Sequence, residues 1–118
     1  MPYASVFRPG LFADKHVVVT GGGSGIGRCT AHELASLGAA TALVGRKREK
    51  LEAVAAEMKA AGYIPPTLHV CDIREEEPVR EMVANIVAAH GTIDGLVNNA
   101  GGQFSAPLKD ITLKGWDA

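Results

Sequence analysis

The sequence predicts an α/β chain whose parallel sheet is doubly wound and runs in the strand order 3-2-1-4. Three observations lead there. Short apolar runs alternate strictly with amphipathic helical stretches, which is the rhythm of parallel βαβ units. The first run is followed at once by a glycine-rich turn, Thr20-Gly21-Gly22-Gly23-Ser24-Gly25-Ile26-Gly27, that opens a helix. Polar residues, among them Arg46, Asp72 and Asn98, stand just past the ends of later runs.

Each element has its own local reason. Val17, Val18 and Val19 make residues 16–20 a β-branched run that ends at glycine, the mark of a buried strand. Residues 25–37 form the first helix, and Gly38 stops it. Residues 40–44 give a second short strand. Residues 48–61 form a helix with Leu51, Val54, Ala55 and Met58 on one face, closed by Gly62. Pro65 and Pro66 then break the chain ahead of a third strand, residues 67–71. Glu75, Glu76 and Glu77 suit the first turn of the third helix, where carboxylates favour the positive end of the dipole. Val79, Met82, Val83, Ile86 and Val87 give that helix its apolar stripe, and Gly91 ends it. Residues 93–97 lead into a fourth strand, which leaves as Asn98-Asn99-Ala100-Gly101-Gly102. A last helix begins near Thr112.

Crossovers of one hand wind the first three strands to one side, and the fourth strand then starts on the other. Ligands of such sheets bind at that reversal, at the carboxyl ends of the strands. The domain reading is a lead-in over residues 1–14 and part of a dinucleotide-binding, Rossmann-type domain over residues 15–118. The glycine turn carries most of the weight. Its glycines let the backbone turn tightly and approach a phosphate, and unpaired helix N–H groups face the anion. The candidate cofactor residues there are Gly21, Gly23, Ser24, Gly25, Ile26 and Gly27. A turn without a ligand is the plain alternative.

The residues after the second strand bear on which cofactor. An NAD(H) site places an acid there to accept from the ribose 2′-hydroxyl. This chain has Val44-Gly45-Arg46-Lys47-Arg48. A guanidinium grips a 2′-phosphate with a forked pair of hydrogen bonds, whereas a carboxylate repels it. Arg46 is therefore the candidate for NADP(H), with Lys47 or Arg48 in support, and NAD(H) is the second reading. Asp72 offers a carboxylate to the adenine amino group with the Ile73 backbone alongside, and it also suits a turn or helix cap. Asn98 and Asn99 suit hydrogen bonds that fix the loop after the fourth strand, and an Asx turn is the alternative.

Composition excludes other classes. The 118 residues are 47% hydrophobic and 21% charged, as in a globular domain, and the net charge of −1 offers nucleic acid or a membrane no general attraction. The N-terminal residues lack the basic region and apolar core of a signal peptide. Cys29 and Cys71 are too few for a disulfide framework and lack metal-site spacing, so both read as buried free thiols. The four histidines are scattered, and no metal site is expected. A cytoplasmic location is the expectation.

Taken together, these residues resemble the classical short-chain dehydrogenase/reductase family. Thr20-Gly21-x-x-x-Gly25-Ile26-Gly27 matches its glycine motif, and Asn98-Asn99-Ala100-Gly101 matches its fourth-strand motif. Asp72 stands where the family's adenine-contacting Asp stands. The resemblance implies a place for Asn98 beside the cofactor ribose, with Ala100 and Gly101 in the same cofactor-binding loop. Residues 7–12, and Gly101-Gly102-Gln103-Phe104 with Lys114-Gly115-Trp116, are also similar to peroxisomal-type trans-2-enoyl-CoA reductases. They are at least as similar to bacterial enzymes of branched acyclic terpenoid alcohols and aldehydes.

Family chemistry uses a Tyr-x-x-x-Lys pair and an orienting Ser, the Lys favouring the tyrosinate. The sequence has only Tyr3 and Tyr63, followed four residues later by Phe7 and Thr67. The expectation is thus the N-terminal part of an NADP(H)-dependent oxidoreductase, inactive alone and holding the adenosine half of the cofactor site. In the complete protein, hydride passes to or from an alcohol, carbonyl or enoyl-CoA-type small molecule, in a homo-oligomer. A non-catalytic nucleotide-binding module is the alternative.

Overall fold

The structure, a computed structural model, describes residues 4–102 and 105–117. Tyr3, Gln103 and Phe104 lie outside the described residues. Strands β1 (His16–Thr20), β2 (Ala40–Gly45), β3 (Thr67–Val70) and β4 (Gly95–Val97) pair in parallel in the order β3-β2-β1-β4. The register sets Val19 against Leu43 on one side and against Val97 on the other.

Successive side chains of a strand point to opposite faces, and the core divides accordingly. Val19 and Leu43 pack on one face against helix α1 (Gly25–Ser36) and helix α2 (Arg48–Ala60). Val18, Ala42 and Val44 pack on the other against Met82 and Ile86 of helix α3 (Glu76–His90). Leu51, Val54 and Met58 are fully buried along α2, and burial of each such side chain contributes about 1.5–3 kcal/mol. The α3 face is less covered: Val83, Val87 and, on β4, Leu96 are 40%, 43% and 57% exposed.

Two expectations need correction. Cys71 is buried, but Cys29 is exposed. The inward stripe of α1 is Gly27, Ala31 and Ala35, and Cys29, two residues from both Gly27 and Ala31, falls on the far side of the helix. The fourth strand begins at Gly95 rather than residue 93. Asp94 instead closes a ring with His16: the His16 N–H donates to Asp94 Oδ2 at 2.8 Å, and the Asp94 N–H donates to the His16 carbonyl at 2.8 Å. After β4 come a 3-10 turn, Leu108–Asp110, and a short helix α4 (Leu113–Trp116), whose N-cap Thr112 accepts from the Gly115 N–H.

The lead-in packs on α1. Ser5 Oγ donates to Glu33, and the Phe12 N–H donates to the Leu37 carbonyl at 3.0 Å. A second polar cluster sits at the amino end of the sheet and its β3 edge. The Thr67 hydroxyl lies 2.9 Å from both His69 Nε2 and His90 Nε2, and the His16 and His90 rings are 5.1 Å apart. Burial lowers the pKa of both His69 and His90. A neighbouring histidine charge adds to this, His90 for His69 and His16 for His90.

Candidate cofactor site

The glycine turn is tied to the end of β2: the Gly21 and Gly22 N–H groups donate to the Val44 carbonyl at 2.8 and 3.2 Å. Gly21 has φ +67°, where a side chain is strained. Gly27 is constrained differently. A Cβ on it would lie 2.5 Å from Asn99 Nδ2 and 2.8 Å from the Gly21 carbonyl carbon. Gly27 thus lets α1 pack against the turn's own backbone. Ser24, the N-cap of α1, makes no side-chain cap bond, and the first turn carries no acid. The positive end of the helix is therefore open to an anion.

The loop after β4 is clamped onto this turn. Thr20 Oγ1 donates to the Val97 carbonyl at 3.2 Å and accepts from the Asn99 and Ala100 N–H groups at 3.0 and 2.9 Å. Asn99 Nδ2 donates to the Thr20 and Gly21 carbonyls at 3.1 and 3.4 Å. Of the two asparagines that the sequence offers for this work, Asn99 does it. Asn98 is exposed at the end of β4.

Between turn and loop lies a cleft of about 480 Å³. Gly21, Gly23 and Ser24 line one side, and Ala100 and Gly101 another. Arg46, Lys47 and Lys50 come from the β2–α2 junction, and Asp72, Ile73 and Arg74 from the end of β3. Eight of the sequence candidates thus meet in one cleft. The other four stand outside its lining: Gly27 is beneath the turn, Ile26 is 78% exposed, and Gly25 and Asn98 are also at the surface. Lys50 lines the cleft where Arg48 was expected to support Arg46.

Arg74 was not anticipated. Its Nε donates to Asp72 Oδ1 at 3.0 Å, its Nη2 to Oδ2 at 2.8 Å, and its backbone N–H to Oδ1 at 3.0 Å. These bonds, aided by the charge of Arg46, hold the Asp72 carboxyl at about 2. Asp72 is thus an acceptor throughout the physiological range, set among four cationic side chains. A chemical species that meets this surface brings anionic oxygens to the turn and the basic rim, and a hydrogen-bond donor to Asp72.

The sequence profile of the family described as short chain dehydrogenase matches residues 15–118. The chain belongs to the short chain dehydrogenase family. Its fold is shared with a citronellol catabolism dehydrogenase of Pseudomonas aeruginosa PAO1, at TM-score 0.86 and 59% identity, over 98% of this chain and 46% of that one. A metagenomic short-chain oxidoreductase in complex with NADP is 41% identical, at TM-score 0.81, over 90% of this chain and 48% of that one. An NAD+-bound xylitol dehydrogenase is 39% identical, at TM-score 0.80, over 90% and 41%. The chain spans about 40% of the length of the curated relatives it matches.

Proposed function

We propose that the complete protein is an NADP(H)-dependent oxidoreductase and that these 118 residues hold the adenosine half of its cofactor. The observation that carries this reading is the basic rim at the end of β2, where Arg46, Lys47 and Lys50 face the cleft and no acid follows the strand. A ribose 2′-phosphate suits that rim, with Arg46 as its forked partner. The pyrophosphate suits the turn from Gly21 to Gly27, where missing side chains and the uncapped Ser24 leave backbone N–H groups accessible. Ile26, exposed at the first turn of α1, lies on the path of the same phosphates. Asp72 and Ile73 take the adenine edge. Asn98, Ala100 and Gly101 take the ribose and the approach to the nicotinamide.

When bound, the nicotinamide supplies the hydride, and the fold positions it. These residues bind and orient; the chain holds no Tyr-x-x-x-Lys pair, and proton transfer falls to residues outside the 118. The substrate class we assign is a small branched acyclic alcohol or its aldehyde. It is supported by the 59% identity to the citronellol catabolism dehydrogenase, which extends through the lead-in. The protein works in the cytoplasm as a homo-oligomer. No helix among the described residues is long and apolar enough to cross a membrane.

Titration of the complete protein with NADPH and NADH tests the reading. Arg46→Asp is expected to weaken NADPH binding more than tenfold, since a charge-assisted bidentate contact contributes roughly 1.5–3 kcal/mol, and to tighten NADH binding. An unchanged preference overturns the assignment of Arg46.

A further inference from the structure

We infer that Glu57, held by both Arg28 and His32, is a positioning residue that sets the spacing between the glycine turn and the basic rim, and so the preference for a dinucleotide with a 2′-phosphate. The inference rests on the cofactor reading above. All three side chains lie on the outer surface of the α1–α2 pair, away from the cleft lining. Arg28 Nε donates to Glu57 Oε2 at 2.9 Å, and Arg28 Nη2 donates to Oε1 at 2.8 Å. His32 Nε2 lies 2.7 Å from Oε2, so that nitrogen carries the proton and donates. Arg28 and His32 stand one turn apart on α1, about 6 Å along its axis. One carboxylate of α2 is therefore held between two donors of α1.

The apolar contact beneath does not supply that constraint. Ala31 and Ala35 of α1 share a buried cluster with Leu51, Val54 and Met58 of α2. Short side chains form low ridges, which hold two helices together but resist sliding poorly. A carboxylate between two donors does resist it, because a slide either way shortens one reach and lengthens the other. The slide matters because each helix carries one wall of the cleft. The glycine turn leads into α1, and Lys47 and Lys50 belong to the start of α2. The walls already touch: a Cβ on Gly23 would lie 3.0 Å from Lys50 Cβ and 3.4 Å from Leu51 Cδ2. A 2′-phosphate and a pyrophosphate belong to one molecule, so both are met only when the walls are correctly spaced, within about 0.5 Å for a directional contact. A dinucleotide without the 2′-phosphate needs the turn alone.

The test measures dissociation constants of the complete protein for NADPH and NADH, with a thermal melt of each variant. Glu57→Ala, Arg28→Ala and His32→Ala should each lower the NADPH-to-NADH preference about three- to fivefold, the scale of a partly exposed ion pair. The Arg28→Ala/His32→Ala double variant should fall no further, because losing either donor already frees the slide. His32→Gln, whose amide nitrogen donates from the same reach, should keep the wild-type preference. A His32→Ala protein with its full preference overturns the proposal, since the ion pair to Arg28 then suffices. So does an equal loss toward both dinucleotides, or a lowered melting temperature with the preference intact, the mark of a merely structural contact. A His32→Gln protein that falls as far as His32→Ala overturns it as well. If Glu57→Ala fails to fold, the two His32 variants decide by the same ratio. Wild-type protein that binds neither dinucleotide, or binds both alike, refutes the cofactor reading itself and the proposal with it, an outcome distinct from the others.

Discussion

The two ends of the sheet treat their polar groups in opposite ways. At the amino end and β3 edge, the groups bond to one another: His16 to Asp94 and Thr92, His69 and His90 to Thr67. At the carboxyl end, Ser24 makes no cap bond, and Arg46, Lys47 and Lys50 line a cleft. Among the described residues, no ion pair uses these three cations. Internal hydrogen bonds make structure and leave nothing for a ligand. The carboxyl end keeps its donors for a partner that brings anionic oxygen, and fixes only what must not move, through Thr20, Asn99 and Arg74. A strand-end loop is therefore read better by where its hydrogen bonds go than by its residue types.

The largest effect should come from filling the cradle. Gly27→Val would drive a side chain into the Gly21 carbonyl and Asn99, and NADPH binding by the complete protein is expected to vanish. Far-UV circular dichroism on the same sample establishes that the helices remain. Gly25→Ala sharpens the comparison, because its Cβ meets nothing within 4 Å and only φ +54° opposes it. That conformation costs an alanine about 1–2 kcal/mol, so this variant should bind with modest loss. Wild-type affinity in Gly27→Val would place the phosphates elsewhere.

Loosening the clamp should have a middling effect. Asn99→Ala removes two side-chain bonds to the carbonyls of Thr20 and Gly21. Each such bond contributes about 0.5–1.5 kcal/mol. Urea denaturation should show a loss of about 1–3 kcal/mol, accompanied by weaker NADPH binding as the turn loses its support. Asn98→Ala, at an exposed position, should leave stability unchanged. Equal stability losses in the two variants would refute the division of labour between these neighbours.

The fold was legible because periodicity and punctuation agreed. β1 was placed to the residue by three valines and a following glycine, and α1, α2 and β2 were placed to within one residue. The acidic residues also behaved as expected: Glu76 and Glu77 occupy the first turn of α3, with Glu75 as its N-cap. What stayed hidden depended on rotation or on partners distant in sequence. Cys29 sits in an apolar stretch, yet only the angular position of Gly27, Ala31 and Ala35 tells which side of α1 is inward. Asn98 and Asn99 are the same residue type, and the bend after Val97 decides which one reaches Thr20. Arg74 stands ahead of an acidic helix, and nothing in its sequence neighbourhood marks it as a partner for Asp72. Its grip on Asp72 exists because the turn after β3 folds residue 74 back over residue 72, a geometry that composition does not encode.

The smallest effect expected is a pH dependence at the structural end. His69 and His90 have pKa values lowered from 6.5 in the folded state, chiefly by burial. The unfolded chain then binds more protons than the folded one between those lowered values and 6.5, so stability rises with pH through that window. The contribution is complete above 6.5 and is lost as pH falls toward the folded-state values. Asp72 and Glu57, whose pKa values are also lowered, act in the same direction but lower, beginning below 3.8 and 4.5. The two windows are therefore separable. A series of thermal melts from pH 8 to pH 5 should show the melting temperature falling below pH 6.5, and His69→Asn, which cannot charge, should flatten part of that fall. The carboxyl end provides the control, because Arg46→Asp adds no group that titrates between pH 5 and 8 and should leave the slope as it is. An equal slope in wild type and His69→Asn would mean that the hydroxyl of Thr67 accommodates the charged imidazole as readily as the neutral one, and that this end of the sheet is insensitive to protonation.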